Sequence, residues 1–173
     1  MPSNIEIKAR DRDPARTKAL VEELSGTPAV VLEQHDTFFP CPHGRLKLRQ
    51  LSPGEGELIF YRRADVAGTK QSDYEIVPIS SPASMAAVLG AALGTLKTVV
   101  KTRLLFRIGQ TRVHLDTVVD LGSFVELEVV LHPGQPASEG HRIAKELMDR
   151  LGIRDNDLLD GAYADLIASQ PNK

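Results

Sequence analysis

Long charged side chains at every second residue carry the chemistry open to this 173-residue chain. Glu6, Lys8 and Arg10 alternate with Ile5 and Ile7, and Arg45, Lys47 and Arg49 with Leu46 and Leu48. Further on come Lys101 and Arg103, then Arg112, His114 and Asp116, then Glu126 and Glu128 between Val125, Leu127 and Val129. The sign is sorted by segment: 45–49 is basic and 126–128 acidic. Lys and Arg donate charge-assisted hydrogen bonds to phosphate oxygens, so basic rows suit a polyphosphate. Carboxylate rows suit hard divalent cations such as Mg²⁺ or Mn²⁺. Glu126 and Glu128 emerge on one face roughly 7 Å apart, twice the strand rise. Glu6 and Asp116 are candidate third and fourth ligands. A basin with cations along one wall and Arg and Lys along another is a phosphoryl-transfer site in outline.

Such a basin needs strands that aim these rows inward. In a half-exposed sheet the polar face would simply meet water. Against that, the charged faces contain almost no Ser, Thr or Asn, and the opposite faces are apolar and need cover. Period-2 alternation predicts eight strands, near 4–10, 30–39, 45–50, 57–63, 72–77, 98–108, 110–118 and 124–131. Helical spacing predicts Pro14–Leu24, Pro82–Leu93, Ser138–Leu151 and Asp157–Ala168, the first with Asp13 as N-cap and Gly26 as its stop. The expected fold is α+β: an eight-stranded antiparallel β-barrel with helices packed outside and charges within.

Bulk composition narrows the function classes. At 42% hydrophobic and 25% charged the chain is not a disordered one. Its length suits a single domain over 1–173. A net charge of −2 argues against coating DNA, although a local basic pocket remains open. No apolar run reaches the roughly 20 residues needed to span a bilayer, the start reads as having no secretory leader, and the lone Cys41 cannot form an internal disulfide. Together these predict a cytoplasmic protein with no membrane partner. His35, Cys41 and His43 lack a fourth ligand at zinc spacing, and the Asp155–Gly161 acids fit helix capping better than a calcium loop. No glycine-rich phosphate loop is present.

These segments resemble, in order, those of the CYTH superfamily, the triphosphate tunnel metalloenzymes. Asn4-Ile5-Glu6-Ile7-Lys8 resembles the family's E-x-E-x-K strand, with Asn4 in place of the first Glu. Gln34–Phe39, Lys47-Leu48-Arg49, Tyr61-Arg62-Arg63 and Ser72–Glu75 resemble the second to fifth strands. Lys101-Thr102-Arg103, His114-Leu115-Asp116 and Leu121–Glu128 resemble the C-terminal half. The resemblance implies a metal-dependent triphosphatase acting on tripolyphosphate or on a nucleoside or thiamine triphosphate, with Mg²⁺ or Mn²⁺ as cofactor. A class IV adenylyl cyclase and a non-catalytic triphosphate-binding module are the alternatives. By carry-over, Glu6, Asp116, Glu126 and Glu128 would hold metal. Lys8, Lys47, Arg49, Arg62, Lys101 and Arg103 would grip phosphates, and Glu75 would orient these basic groups or help with metal. Lys8 and Glu6 would serve catalysis, Lys8 by orienting the attacking oxygen. Some members dimerise, which makes a homodimer one of the states to expect.

Overall fold

Eight strands close into a barrel in the computed structural model, which describes residues 1–168; residues 169–173 of the expected 1–173 span lie outside the described part. In chain order they are β1 (Ser3–Arg10), β2 (Val30–Phe39), β3 (Arg45–Ser52), β4 (Glu55–Arg63), β5 (Lys70–Ile79), β6 (Lys97–Ile108), β7 (Thr111–Val118) and β8 (Gly122–Val130). Around the barrel the order is β1-β5-β4-β3-β2-β6-β7-β8, and every neighbouring pair is antiparallel. Closure gives every strand a hydrogen-bonded neighbour on both sides.

On β1, β7 and β8 the alternating apolar residues face outward and are covered. Helix α1 (Pro14–Ser25) lies on β6 and β7, and α3 (Ala137–Leu151) on β1 and β8. Between them and the barrel, Ile7, Ala9, Val113, Leu115, Val125 and Leu127 pack with Val21, Leu147, Met148 and Leu151. Ile5 and Val129 pack with Ala144. The α2 helix (Pro82–Leu93) crosses the outside of β2, β3 and β4. Asp13 caps α1 by accepting from the Arg16 amide, and Gly26 ends it in the left-handed region at φ 66°.

Helix α3 approaches β1 so closely that a Cβ on Gly140 would lie 2.5 Å from Cγ1 of Ile5 and 2.8 Å from Cδ2 of Leu131. Gly140→Ala is therefore expected to cost about 1–3 kcal/mol through overpacking, read from the urea midpoint at constant m-value.

The C-terminal segment departs from the expected helix 157–168. A 3₁₀ turn (Asp155–Asp157) is followed by extended chain, and only then by α4 (Tyr163–Ala168). The physical reason is pairing with β1: Leu158 bridges Ala9, and the Leu159 amide donates to the Lys8 carbonyl at 2.9 Å. Gly161, at φ 71°, then turns the chain across one end of the barrel. There Ala162, Tyr163 and Ala164 pack with Phe38, Val99, Val118 and Phe124 and stop that end with an apolar plug. The charged rows thus line a lumen that is stopped at one end by this plug. Among the described residues, no helix is long and apolar enough to cross a membrane.

Candidate functional site

Register decides which charged residues meet inside the barrel. Glu6 lies opposite Glu128, and Lys8 opposite Glu126, across the β1–β8 ladder. Arg112 lies opposite Glu128, and His114 opposite Glu126, across β7–β8. Asp36 lies opposite Arg49 across β2–β3, and Arg103 opposite Asp116 across β6–β7. Side chains of β1 and β8 therefore form an acidic wall, and those of β3 and β6 a basic one. The lumen between them measures about 250 Å³. That is slightly below the roughly 300–1,000 Å³ usual for drug-sized ligands and suits a compact polyanion.

Each wall is neutralised from within. Asp36, on β2, is almost fully buried and accepts from Lys47 Nζ at 3.0 Å and from Arg49 Nε and Nη2 at 2.8 Å each. Lys101 Nζ stands 3.7 Å from Asp36 and 3.8 Å from Asp116. Burial pushes the Asp36 carboxyl up, but Arg49, Lys47 and Lys101 outweigh it and hold it well below the usual carboxylate range. Arg103 grips Asp116 with two bonds, Nε to Oδ1 at 2.7 Å and Nη2 to Oδ2 at 2.6 Å, and reaches Glu126 Oε2 at 2.7 Å. Lys8 Nζ lies 3.1 Å from Glu126 Oε1 and 3.8 Å above the Tyr163 ring. Arg112 Nε donates to Glu128 at 2.9 Å, and Arg63 pairs with Glu6. Burial raises Glu6, opposed by Arg63 and reinforced by Glu128 and Glu126. Burial likewise raises Glu126, but Lys8 and Arg103 carry it well below its ordinary value.

Burial also lowers the lysines. Lys101, with Arg103 beside it, falls to about 7. A bound polyanion would restore its charge, so binding at pH 8 is expected to take up a proton, and affinity is expected to fall as pH rises through about 7. Calorimetry with tripolyphosphate in two buffers of different ionisation heat checks this. Lys101→Met is expected to abolish the difference attributable to that proton.

The structure gathers Glu6, Lys8, Lys47, Arg49, Lys101, Arg103, Glu126 and Glu128 around the lumen, but it corrects three expectations. Arg62 is exposed on the outer face, its Nη2 3.6 Å from the Met1 sulfur, and Arg63 is the inward residue of that pair. Glu75 is likewise exposed and outward, while Ser72 and Tyr74 of β5 point in. The cause is register: Arg49 pairs with Glu57, so β4 turns residues 57, 59, 61 and 63 inward. Asp116 is inward but stands behind Arg103, its oxygens committed to that guanidinium and to the Tyr163 hydroxyl at 2.9 Å. It anchors Arg103 rather than joining the acidic wall.

Asp36, Arg63, Arg112 and Gln34 also line or brace the lumen, although the family resemblance assigns none of them a metal, phosphate or catalytic role. Arg112 stood in the alternating row with His114 and could have been found there. Asp36 was hidden by an uneven β2 pattern. Asn4 is buried in the wall, and its Oδ1 has no hydrogen-bond partner.

A family model described as CYTH domain matches residues 3–163. No curated protein matches the sequence significantly. Among solved structures, the PH1012 protein of Pyrococcus horikoshii OT3 is similar at 21% identity and TM-score 0.83, over 94% of this chain and 98% of that one. A candidate adenylate cyclase from Vibrio parahaemolyticus is 16% identical with TM-score 0.78, over 96% and 98%. A candidate adenylyl cyclase from Hippeastrum, described as revealing a dominant triphosphatase activity, is 16% identical with TM-score 0.65, over 98% and 97%. At these identities the structural likeness establishes the fold.

Proposed function

The chain belongs to the CYTH domain family, and we propose that its barrel hydrolyses a triphosphate, releasing phosphate from the terminal position and leaving a diphosphate compound. The observation that carries this reading is the lumen's charge arrangement: a basic wall and an acidic wall held largely out of water, Lys47 and Lys101 paired with Asp36, and Glu126 with Lys8 and Arg103. Buried ion pairs of this density cost desolvation that mutual attraction only partly returns. A polyanion with cations can replace them pair for pair, the phosphates taking Lys47, Arg49, Lys101 and Arg103, and the cations taking Glu6, Glu126 and Glu128.

The acidic wall fits a divalent cation. Its donors are carboxylate oxygens, joined by the unpartnered Asn4 amide oxygen. A bound Mg²⁺ or Mn²⁺ would supply Lewis-acid neutralisation of phosphate oxygens. Asp116, through its two bonds to Arg103, fixes the guanidinium that faces the phosphates. Lys8, held between Glu126 and the Tyr163 ring, orients the attacking water at the sealed end of the lumen. The plug excludes bulk water from that end, which strengthens every charge interaction there.

A second reading draws on the lumen's apolar residues. Leu32, Leu51, Ile76 and Leu105 line the part away from Tyr163 and would suit the organic portion of a nucleotide, so adenylyl cyclisation of ATP is the rival. Phosphate released from tripolyphosphate, thiamine triphosphate and ATP, with Mg²⁺ or Mn²⁺, tests the proposal. Cyclic AMP with equimolar pyrophosphate from ATP would overturn it. Asn4→Glu is expected to raise turnover by restoring a charged donor. Tight triphosphate binding without turnover, unchanged in Asn4→Glu, would mark a binding module instead.

A further inference from the structure

We propose that His114 adds a nitrogen ligand to a cation held by Glu126 and Glu128, so that the acidic wall contains a mixed nitrogen–oxygen site selecting Mn²⁺, Co²⁺ or Zn²⁺ over Mg²⁺. This rests on the reading of that wall as a cation site. His114 is 4% exposed, and its Nδ1 is buried without a hydrogen-bond partner. The atom faces the carboxylates, at 3.5 Å from Glu126 Oε2 and 3.8 Å from Glu128 Oε1. One ligand atom from each of the three residues lies within 4.8 Å of the others. Two ligands on one small cation, each at about 2.0–2.2 Å, stand up to about 4.4 Å apart. The triangle therefore closes on an ion with shifts of a few tenths of an ångström.

Register makes the cluster rigid in origin. His114 and Glu126 are cross-strand partners on β7 and β8, and Glu128 is the next inward residue of β8. Glu126 can leave Arg103 for a cation without stranding it, because Arg103 keeps both bonds to Asp116. Imidazole nitrogen favours borderline first-row cations, whereas Mg²⁺ prefers oxygen donors and retained water.

The test uses metal-depleted full-length protein, with Co²⁺ and Mg²⁺ binding measured by calorimetry for wild type, His114→Ala, His114→Gln and Glu126→Gln. Loss of the nitrogen is expected to weaken Co²⁺ by at least about tenfold in both histidine variants, with Mg²⁺ changed by less than about twofold. Because a cavity at 114 could disturb folding, pulsed electron paramagnetic resonance of Mn²⁺-loaded wild type gives a second reading. A nitrogen coupling that changes with ¹⁵N-histidine labelling is expected. Unaltered Co²⁺ affinity in the histidine variants, or no histidine nitrogen coupling, would overturn the proposal while leaving the carboxylate site standing if Glu126→Gln still abolishes binding. Cation binding indifferent to Glu126→Gln would overturn both readings.

Discussion

Asp36→Asn is expected to destabilise the barrel by about 3–5 kcal/mol in the absence of anions, the range for breaking a buried ion pair from one side. Asp36 is 1% exposed and is the shared counter-ion of Lys47, Arg49 and Lys101. The near-isosteric amide keeps the packing and removes the charge, so the buried Lys101 and the half-buried Lys47 and Arg49 lose their common partner. Tripolyphosphate should then recover much of the loss, since a bound ligand stabilises the native state by mass action. Urea unfolding with and without the anion reads both effects. The acid limb gives an independent check. The folded-state pKa of Asp36 is depressed, so its contribution is present above the unfolded value of about 3.8 and is lost as pH falls through the lower folded value. The gap between wild type and Asp36→Asn should accordingly narrow in acid. A variant as stable as wild type at pH 7, in anion-free buffer, would contradict the account of the basic wall.

Glu126→Gln is expected to lower kcat by about 10²–10⁴-fold, the equivalent of the several kcal/mol of charge stabilisation that a divalent cation supplies. Glu126 is the junction of the acidic wall, touching Lys8 on one side and Arg103 on the other. The amide still packs but no longer holds a cation or fixes the Lys8 ammonium. KM for the triphosphate should move far less, because Lys47, Arg49 and Lys101 of the opposite wall remain in place. Steady-state phosphate release over a range of Mn²⁺ concentrations separates the two parameters. Near-wild-type kcat at saturating Mn²⁺ would remove Glu126 from the machinery.

The same residues show how far sequence reaches. Glu126 and Glu128 were legible because β8 alternates charged and apolar residues cleanly, and a slip of one residue would bury the wrong face, while Lys101 and Arg103 stood out by their two-residue spacing. On β4 both faces carry large apolar groups, Leu58 and Phe60 outside, Ile59 and Tyr61 inside, so alternation gave no preference between Arg62 and Arg63. A register shift between Gln50 and Ser52 at the β3–β4 hairpin hid the pairing that decides it. Glu75 failed for a related reason: Tyr74, its inward neighbour, reads as an equally good core residue.

The sequence by itself determined the eight strand segments, the first three helices and the sorting of charge by strand. These follow from local periodicity and from the cost of leaving apolar faces in water. Only the tertiary structure decided which charges meet. It made Asp36 the hub of the basic wall, withdrew Asp116 behind Arg103, pointed His114 at Glu126 and drew Tyr163 across one end as a plug. Those outcomes depend on cross-strand register and on where a C-terminal segment docks on β1, both long-range contacts that no local pattern encodes.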